Sequence, residues 1–176
     1  MLSQLVEKLD LNSPFDAAVS ACATTAFWGQ CHLGKLLPIS ATLPPLTSLP
    51  TQLDFKKSLQ NPCSYMLHLP QTKTHHHGQD IVLVDQHAPI NLVSLLKNHL
   101  QVNASWCEDP IFSFSSSGTT STLIKSLFLQ HCNTIWSVLG YSHTTGHCFQ
   151  IRGMTELLIA GILTDVIRAT SCCYDL

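Results

Sequence analysis

The stretch that decides the fold is GHCFQIRG, residues 146–153, which runs directly into MTELLIAG, residues 154–161. The second segment has the composition of an amphipathic helix, so His147 stands just before a predicted helix, and Gln150 follows three residues later. Side chains spaced in this way at one turn can point into one pocket. The spacing therefore predicts a small polar site that suits phosphate chemistry.

A simpler alternative also fits this stretch. In it, His147 merely satisfies the start of the helix. The apolar residues that follow are then ordinary core residues: Leu157, Leu158 and Ile162. The two interpretations differ in whether His147 has neighbours from other parts of the chain.

Length and composition indicate one globular domain. The 176 residues are 45% hydrophobic and 11% charged, and a disordered chain would show the opposite balance. The net charge is −2, whereas DNA-binding domains that act alone usually carry a basic excess. The composition therefore argues against strong autonomous binding to DNA.

Compartment is predicted from cysteine usage and from the N-terminus. The eight cysteines are scattered and contain no Cys-x-x-Cys pair, which is typical of a reduced intracellular protein. Residues 1–11 lack the positive region and the cleavage site of a signal peptide, and no apolar run approaches about 18 residues. We expect neither secretion nor a membrane span.

The first half of the chain reads as helices followed by a loop. Ser13 and Pro14 are a helix-start signal, and the helix should run from Phe15 to Trp28. A short turn and helical segment then ends at Pro38. Residues 39–62 are rich in Pro, Ser and Thr, which predicts an exposed connection.

The second half combines one hairpin with further helices. Residues 64–69 and 81–84 read as two strands of an antiparallel hairpin. Helical spacing follows over residues 89–100 and again over 120–139, with a short extended segment at 109–114 between them. The predicted fold class is mainly α with a small antiparallel β-hairpin or sheet (α+β), with any other strands short.

Three separated blocks resemble the tyrosine recombinases, in the form carried by fungal mobile-element (Crypton-like) integrases. GHCFQIRGMTELLIAGI resembles their His-x-x-Arg block, with His147 retained and Gln150 at the arginine position. QCHLGKLLP resembles their Arg-x-x-Glu block, with His32 at the arginine position and Lys35 at the glutamate position. Lys73, in the predicted hairpin, matches the lysine that the family carries there.

The resemblance implies a fold, a domain division and a chemistry. It implies a fold like the catalytic core of a tyrosine recombinase over residues 13–168, with an N-terminal extension at 1–12 and a truncated tail at 169–176. In the family, two arginines and the histidine hold the scissile phosphate, the lysine assists the leaving oxygen, and a tyrosine attacks phosphorus. Lys73, His147, His32, Lys35 and Gln150 are the corresponding positions here, and no cofactor or metal is implied.

The departures from the family pattern predict a degenerate enzyme. Both arginine positions are substituted, and a glutamine cannot neutralise the charge that develops on phosphate. Tyr174 lies nine residues after Asp165, which leaves no room for the turn and helix that carry the nucleophile in the family. We also expect no counterpart of the family's N-terminal DNA-clamping domain. We therefore expect residual contact with double-stranded DNA, weak when the chain acts alone, and no strand cleavage.

Other functions stay open at this stage. The main alternative is a non-catalytic helical protein-interaction module, which the low charge favours. A metal-dependent hydrolase built on His143, His147 and Cys148 has an incomplete ligand set, and His75 to His77 point in different directions on an extended chain. The recombinase hypothesis further implies a nuclear or otherwise intracellular protein and allows a homo-oligomer. It requires His32, Lys73, His147 and Gln150 to face one cleft.

Overall fold

The computed structural model describes residues 1–41, 48–61, 63–70, 78–84, 90–104 and 106–170, with the side chains of 168–170 excepted. The helices of this part of the chain are α1 (Leu2–Lys8), α2 (Pro14–Trp28), α3 (Leu33–Leu36), α4 (Leu92–Asn103), α5 (Lys125–Val138), α6 (Gly146–Ile159) and α7 (Thr164–Thr170). The strands are β1 (Phe55–Lys57), β2 (Ser64–Leu69), β3 (Gln79–Val84), β4 (Ser113–Ser116) and β5 (Thr119–Thr122). The predicted α+β class is confirmed.

Helix α2 lies at the centre of the core. Its residues from Ala17 to Phe27 are all buried, and most have small side chains that allow α4 to pack closely along it. Two of its buried hydroxyls bond within the helix: Ser20 Oγ donates to the carbonyl of Ala17 at 2.9 Å, and Thr24 Oγ1 donates to the carbonyl of Ser20 at 2.8 Å. The predicted start of this helix is confirmed, because Ser13 is the N-cap and Pro14 is the first helical residue.

The predicted hairpin is present as part of a larger sheet. Strands β2 and β3 pair antiparallel, with Leu67 opposite Ile81 and both side chains fully buried. On the other face His68 Nδ1 lies 2.7 Å from Asp80 Oδ1 in an exposed pair. The alternation of buried and exposed residues explains why the strand pattern could be read from the sequence.

The expected exposed connection over residues 39–62 is wrong in its second half. Strand β1 pairs with β2 and makes the sheet three-stranded, and a 3₁₀ turn at Gln52–Asp54 precedes it. The strand has only three residues, and it is held by distant contacts such as the stacking of Phe55 on Tyr65 at 5.2 Å between ring centroids. A pattern of three residues is too short to predict a strand from local sequence.

The predicted long helix over residues 120–139 begins too early. Residues 119–122 form β5, which pairs with β4, and α5 starts at Lys125. Ser117 and Gly118 both have positive φ, 51° and 81°, as the two central residues of a tight hairpin turn require. The threonines of β5 favour a strand once this turn brings β4 beside them.

Helix α6 begins eight residues before the predicted helix. It starts at Gly146, so His147 lies within its first turn and not ahead of it. The alternative that the following apolar residues are ordinary core is also wrong, because the exposed fraction is 47% for Leu158 and 39% for Ile162. Three residues of its first eight are buried instead: Phe149, Gln150 and Gly153.

The N-terminal residues pack on the same core. Leu2 and Leu5 of α1 are buried, and the hydroxyl of Tyr141 donates a hydrogen bond to Gln4 Oε1. The division into an extension, a domain and a tail remains a prediction. Within the part of the chain described here, no helix combines the length and the apolar character needed to cross a membrane.

Candidate active site

The turn that follows α2 carries the first site residue. The helix ends at Trp28, and Gln30 adopts a left-handed conformation with φ of 52°, which redirects the chain into α3. His32 is the N-cap of α3, its side chain is exposed, and its carbonyl accepts a hydrogen bond from the backbone N–H of Lys35 at 2.8 Å. The end of α2 and the start of α3 thus hold the backbone of His32 in one position.

Two glycines bring α6 against this turn. A Cβ atom on Gly153 would lie 1.9 Å from the carbonyl oxygen of Phe27, so the backbones of α6 and α2 touch there. A Cβ atom on Gly146 would lie 2.8 Å from Leu33 Cδ1. At Gly153 the obstacle is backbone, so only glycine permits that approach without a shift of the chain, whereas at Gly146 the obstacle is the end of the Leu33 side chain. Both ends of the first half of α6 are therefore fixed next to the His32 turn.

The result is a pair of parallel imidazole rings. The centroids of His32 and His147 lie 6.0 Å apart and their planes differ by 8°. Both side chains are exposed to solvent. Imidazole N–H bonds and lone pairs lie in the ring plane, so two parallel rings cannot aim their lone pairs at one ion between them. They can present their edges side by side to the separate oxygens of an anion.

Gln150 lies beneath this pair and faces inward. Its side chain is only 4% exposed, and its Nε2 donates to the backbone carbonyl of Gln30 at 3.2 Å. The amide thus connects α6 to the left-handed residue that precedes His32. A neutral amide that bonds to the backbone contributes hydrogen bonding and no positive charge at this position.

The other predicted site residues fall outside the pair. Lys35 is half-buried on α3, three residues after His32. Lys73 lies outside the described residues, as do Tyr174 and His75 to His77. The structure therefore brings together His32 and His147 at the surface, with Gln150 below them, and it gives no position for Lys73.

Cys148 is a feature of the site that sequence reasoning did not assign to it. Its thiol is partly exposed in the first turn of α6, and its Sγ lies 3.5 Å from Thr145 Oγ1. Hydrogen bonding with Thr145, aided by the charge of Arg152, lowers the pKa of the Cys148 thiol below its usual value. The sequence signal for a thiol with a lowered pKa is a cysteine that follows a histidine at the start of a helix.

Metal chemistry has no support in the described residues. They contain no group of three or more His, Cys, Asp or Glu side chains placed to hold a metal ion. The ligand set of His143, His147 and Cys148 therefore does not assemble. In contrast, the two exposed parallel imidazoles can contact the oxygens of an anion with their ring edges.

Comparison with solved structures identifies the fold. The chain is similar to a structure of the XerH site-specific recombinase bound to its difH substrate in a pre-cleavage complex. The TM-score is 0.62 at 14% sequence identity, and the match covers 99% of this chain and 45% of that one. The chain thus has a tyrosine recombinase-like fold and spans less than half the length of that recombinase. No protein-family model and no curated protein matches the sequence.

Proposed function

We propose that this protein contacts the phosphodiester backbone of double-stranded DNA through a degenerate tyrosine recombinase site. The observation that carries the proposal is the parallel pair of His32 and His147, which come from two blocks far apart in sequence. Both histidines lie at positions that hold the scissile phosphate in the family that the sequence resembles. The proposed site is therefore a phosphate-binding remnant.

The charge available at this site supports binding without cleavage. A protonated imidazole carries positive charge, so two neighbouring imidazoles can contact phosphate oxygens most strongly in mild acid. Strand cleavage needs fixed positive charge in the transition state, and Gln150 is neutral and bonded to the backbone of Gln30. Loss of one such donor typically costs about 10² to 10³ in rate, and both arginine positions are substituted here.

A second cationic feature on the sheet supports a DNA partner. Lys97 of α4 donates a hydrogen bond to the hydroxyl of Tyr65 at 2.7 Å and lies 4.5 Å from the centroid of its ring. Lys57 of β1 is the register partner of Tyr65, so it stands on the same face of the sheet. Since the chain as a whole is slightly acidic, contacts with phosphate depend on local groups of this kind.

The biological setting follows from the resemblance. We infer a domain derived from a fungal mobile element, whose ancestral role is DNA recombination and integration and whose present role excludes strand cleavage. A nuclear or otherwise intracellular location and assembly into a homo-oligomer belong to the same proposal. XerH, in the matched structure, is bound to its difH substrate.

A second candidate function has its own observation in favour. The later part of α6 and the following α7 expose a series of large apolar side chains: Met154, Leu158, Ile159, Ile162, Leu163 and Val166. Contiguous exposed apolar surface is typical of protein interaction sites. A non-catalytic helical interaction module would use this surface and would not need the histidine pair.

Binding to a labelled DNA duplex at low salt separates these two functions. We expect fluorescence anisotropy to show tighter binding at about pH 6 than at about pH 8. The variant His147→Ala should lose roughly tenfold in affinity at the lower pH, the loss expected for one charge-assisted hydrogen bond. His143→Ala removes another exposed histidine and should bind like the unaltered chain. Equal affinities of His147→Ala and the unaltered chain at both pH values would contradict the proposal.

The cationic feature on the sheet predicts a change in salt dependence. Replacing Lys57 and Lys97 by Gln should weaken binding and reduce the slope of log affinity against log salt by about 1 for each phosphate contact removed. Lys8→Gln, an exposed lysine on α1, is the matched control and should leave the slope unchanged. An unchanged slope in the Lys57 and Lys97 variants would exclude the sheet from the interface.

The absence of cleavage is tested with nicked suicide duplexes. We expect denaturing electrophoresis to show no covalent protein–DNA adduct, either for the unaltered chain or for Gln150→Arg. One restored guanidinium leaves the other arginine position substituted, and groups that act as a unit fail together. An adduct formed by the unaltered chain would show that the domain is an active enzyme.

A further inference from the structure

One side chain of α5 holds Thr144, which lies in the connection between α5 and α6. Asn133 of α5 donates from Nδ2 to the carbonyl of Thr144 at 2.9 Å, and its Oδ1 accepts from the N–H of Thr144 at 2.7 Å. The second Nδ2 hydrogen reaches the carbonyl of Leu129 at 2.9 Å. The asparagine therefore satisfies both backbone polar groups of a residue that is only 7% exposed.

This contact acts directly ahead of the first turn of α6. Thr145 is the N-cap of α6, yet among the described residues its side chain makes no capping hydrogen bond. The direction in which the chain enters the helix is therefore set by the hydrogen bonds of Thr144 together with the close approach of Gly146 to Leu33. His147 follows three residues after Thr144, so a change there moves the ring that faces His32.

The rest of α6 is held to α5 by separate contacts. Phe149 is fully buried, with its ring centroid 5.4 Å from those of both Phe128 and Trp136. Loss of the Asn133 contact should leave this aromatic cluster intact. The helix can thus stay docked while its first turn loses its fixed position.

We propose that Asn133 is a positioning residue that holds His147 parallel to His32. The proposal rests on the proposed function, in which that pair contacts phosphate. Asn133 itself lies on α5 and acts through the backbone of Thr144. Its removal should therefore impair binding only as far as binding depends on His147.

A double-mutant cycle on the full chain tests this dependence. Asn133→Ala should weaken binding to the labelled duplex at about pH 6 by up to roughly tenfold, approaching the loss for His147→Ala. Adding Asn133→Ala to His147→Ala should then have almost no further effect, because the two residues act in one chain of contacts. Losses that multiply in the double variant would overturn the positioning role.

The ring of His147 gives a second readout that does not involve DNA. In proton–carbon NMR spectra, Asn133→Ala should shift the imidazole resonances of both His147 and His32, since their stacking changes. Thr134→Ala is the matched control, because its hydroxyl bonds to the carbonyl of Gln130 within the same helix. Unchanged histidine resonances in a folded Asn133→Ala variant would overturn the proposal.

The two readouts separate the two hypotheses. If His147→Ala binds DNA normally, the phosphate contact is wrong, and the NMR shifts alone decide whether Asn133 positions the ring. If His147→Ala weakens binding and Asn133→Ala leaves both binding and resonances unchanged, the phosphate contact stands and the positioning role is wrong.

Discussion

The two halves of α6 both contain apolar residues, but their environments differ. In the first half, Phe149 and Gln150 are buried and Gly153 touches the backbone of α2. In the second half, Leu158 is 47% exposed and Ile159 is 75% exposed. Both halves are rich in apolar residues, so hydrophobicity does not decide which half packs. The difference lies in the glycines, which allow close approach only in the first half.

This contrast explains why the site forms where it does. Gly146 and Gly153 fix the first half of α6 between α2 and α3, and His147 lies between them in sequence. The second half contacts α7, and the residues that it leaves exposed are available to another surface. One helix thus serves the proposed phosphate site at its start and the candidate interaction surface at its end.

The largest expected effect comes from breaking the close approach. Gly153→Ala places a Cβ atom 1.9 Å from the carbonyl oxygen of Phe27, where backbone atoms on both sides must move. We expect a loss of about 3 kcal/mol in the free energy of unfolding, at the upper end of overpacking effects. Chemical denaturation followed by circular dichroism measures this change.

The matched control is a glycine in open space. A Cβ atom on Gly34 of α3 would meet no heavy atom within 4 Å among the described residues. Gly34→Ala should therefore be neutral, or stabilising by up to about 1 kcal/mol because alanine favours helices. Equal stabilities of the Gly153→Ala and Gly34→Ala variants would show that α6 is not fixed in the way described.

Much of the fold can be predicted from the sequence because its signals are local. The start of α2 is marked by Ser13 and Pro14, and the hairpin of β2 and β3 is marked by alternating apolar residues. Strand β1 could not be predicted, since its three residues are held by pairing with β2. Strand β5 is wrongly predicted as the start of the helix over residues 120–139, because its pairing with β4 depends on the backbone geometry at Ser117 and Gly118.

The same limit applies to the candidate site. The resemblance marked His32 and His147 as partners, and the structure places their rings 6.0 Å apart. No sequence pattern indicates that Gln150 bonds to the carbonyl of Gln30, because this contact needs a left-handed residue other than glycine. The hydrogen bond from Asn133 to the carbonyl of Thr144 joins α5 to the connection that follows it, and no sequence motif marks this contact.

A smaller effect is expected from a buried histidine in the packed part of the molecule. His99 of α4 is fully buried, its Nε2 lies 2.7 Å from the carbonyl of Ile111, and its Nδ1 lies 2.8 Å from Asn103 Nδ2. This pattern requires a neutral ring that donates from Nε2 and accepts at Nδ1. Burial lowers the pKa of His99 below its usual value, against the opposing effect of the Ile111 carbonyl.

The sign of the pH dependence follows from this shift. Above about pH 6.5 the His99 ring is neutral in both the folded and the unfolded chain, so its contribution to the free energy of unfolding is fully present. Below that value the unfolded chain takes up a proton that the folded chain resists, and stability falls until the folded pKa is reached. We therefore expect the free energy of unfolding to fall as the pH drops from about 6.5 to about 5.5. His99→Gln should remove this part of the slope, and an unchanged profile in that variant would assign the slope to other groups.

The smallest expected effect is on the exposed half of α6. Ile159→Ser replaces a side chain that is 75% exposed, and serine and isoleucine have similar helix propensities. The free energy of unfolding should therefore change by less than about 0.5 kcal/mol, in contrast to the loss at Gly153 on the same helix. Denaturation at several protein concentrations gives the measurement. A loss above about 1 kcal/mol that grows with concentration would show that a second copy of the chain covers this face, because association adds stability only to a face that it buries.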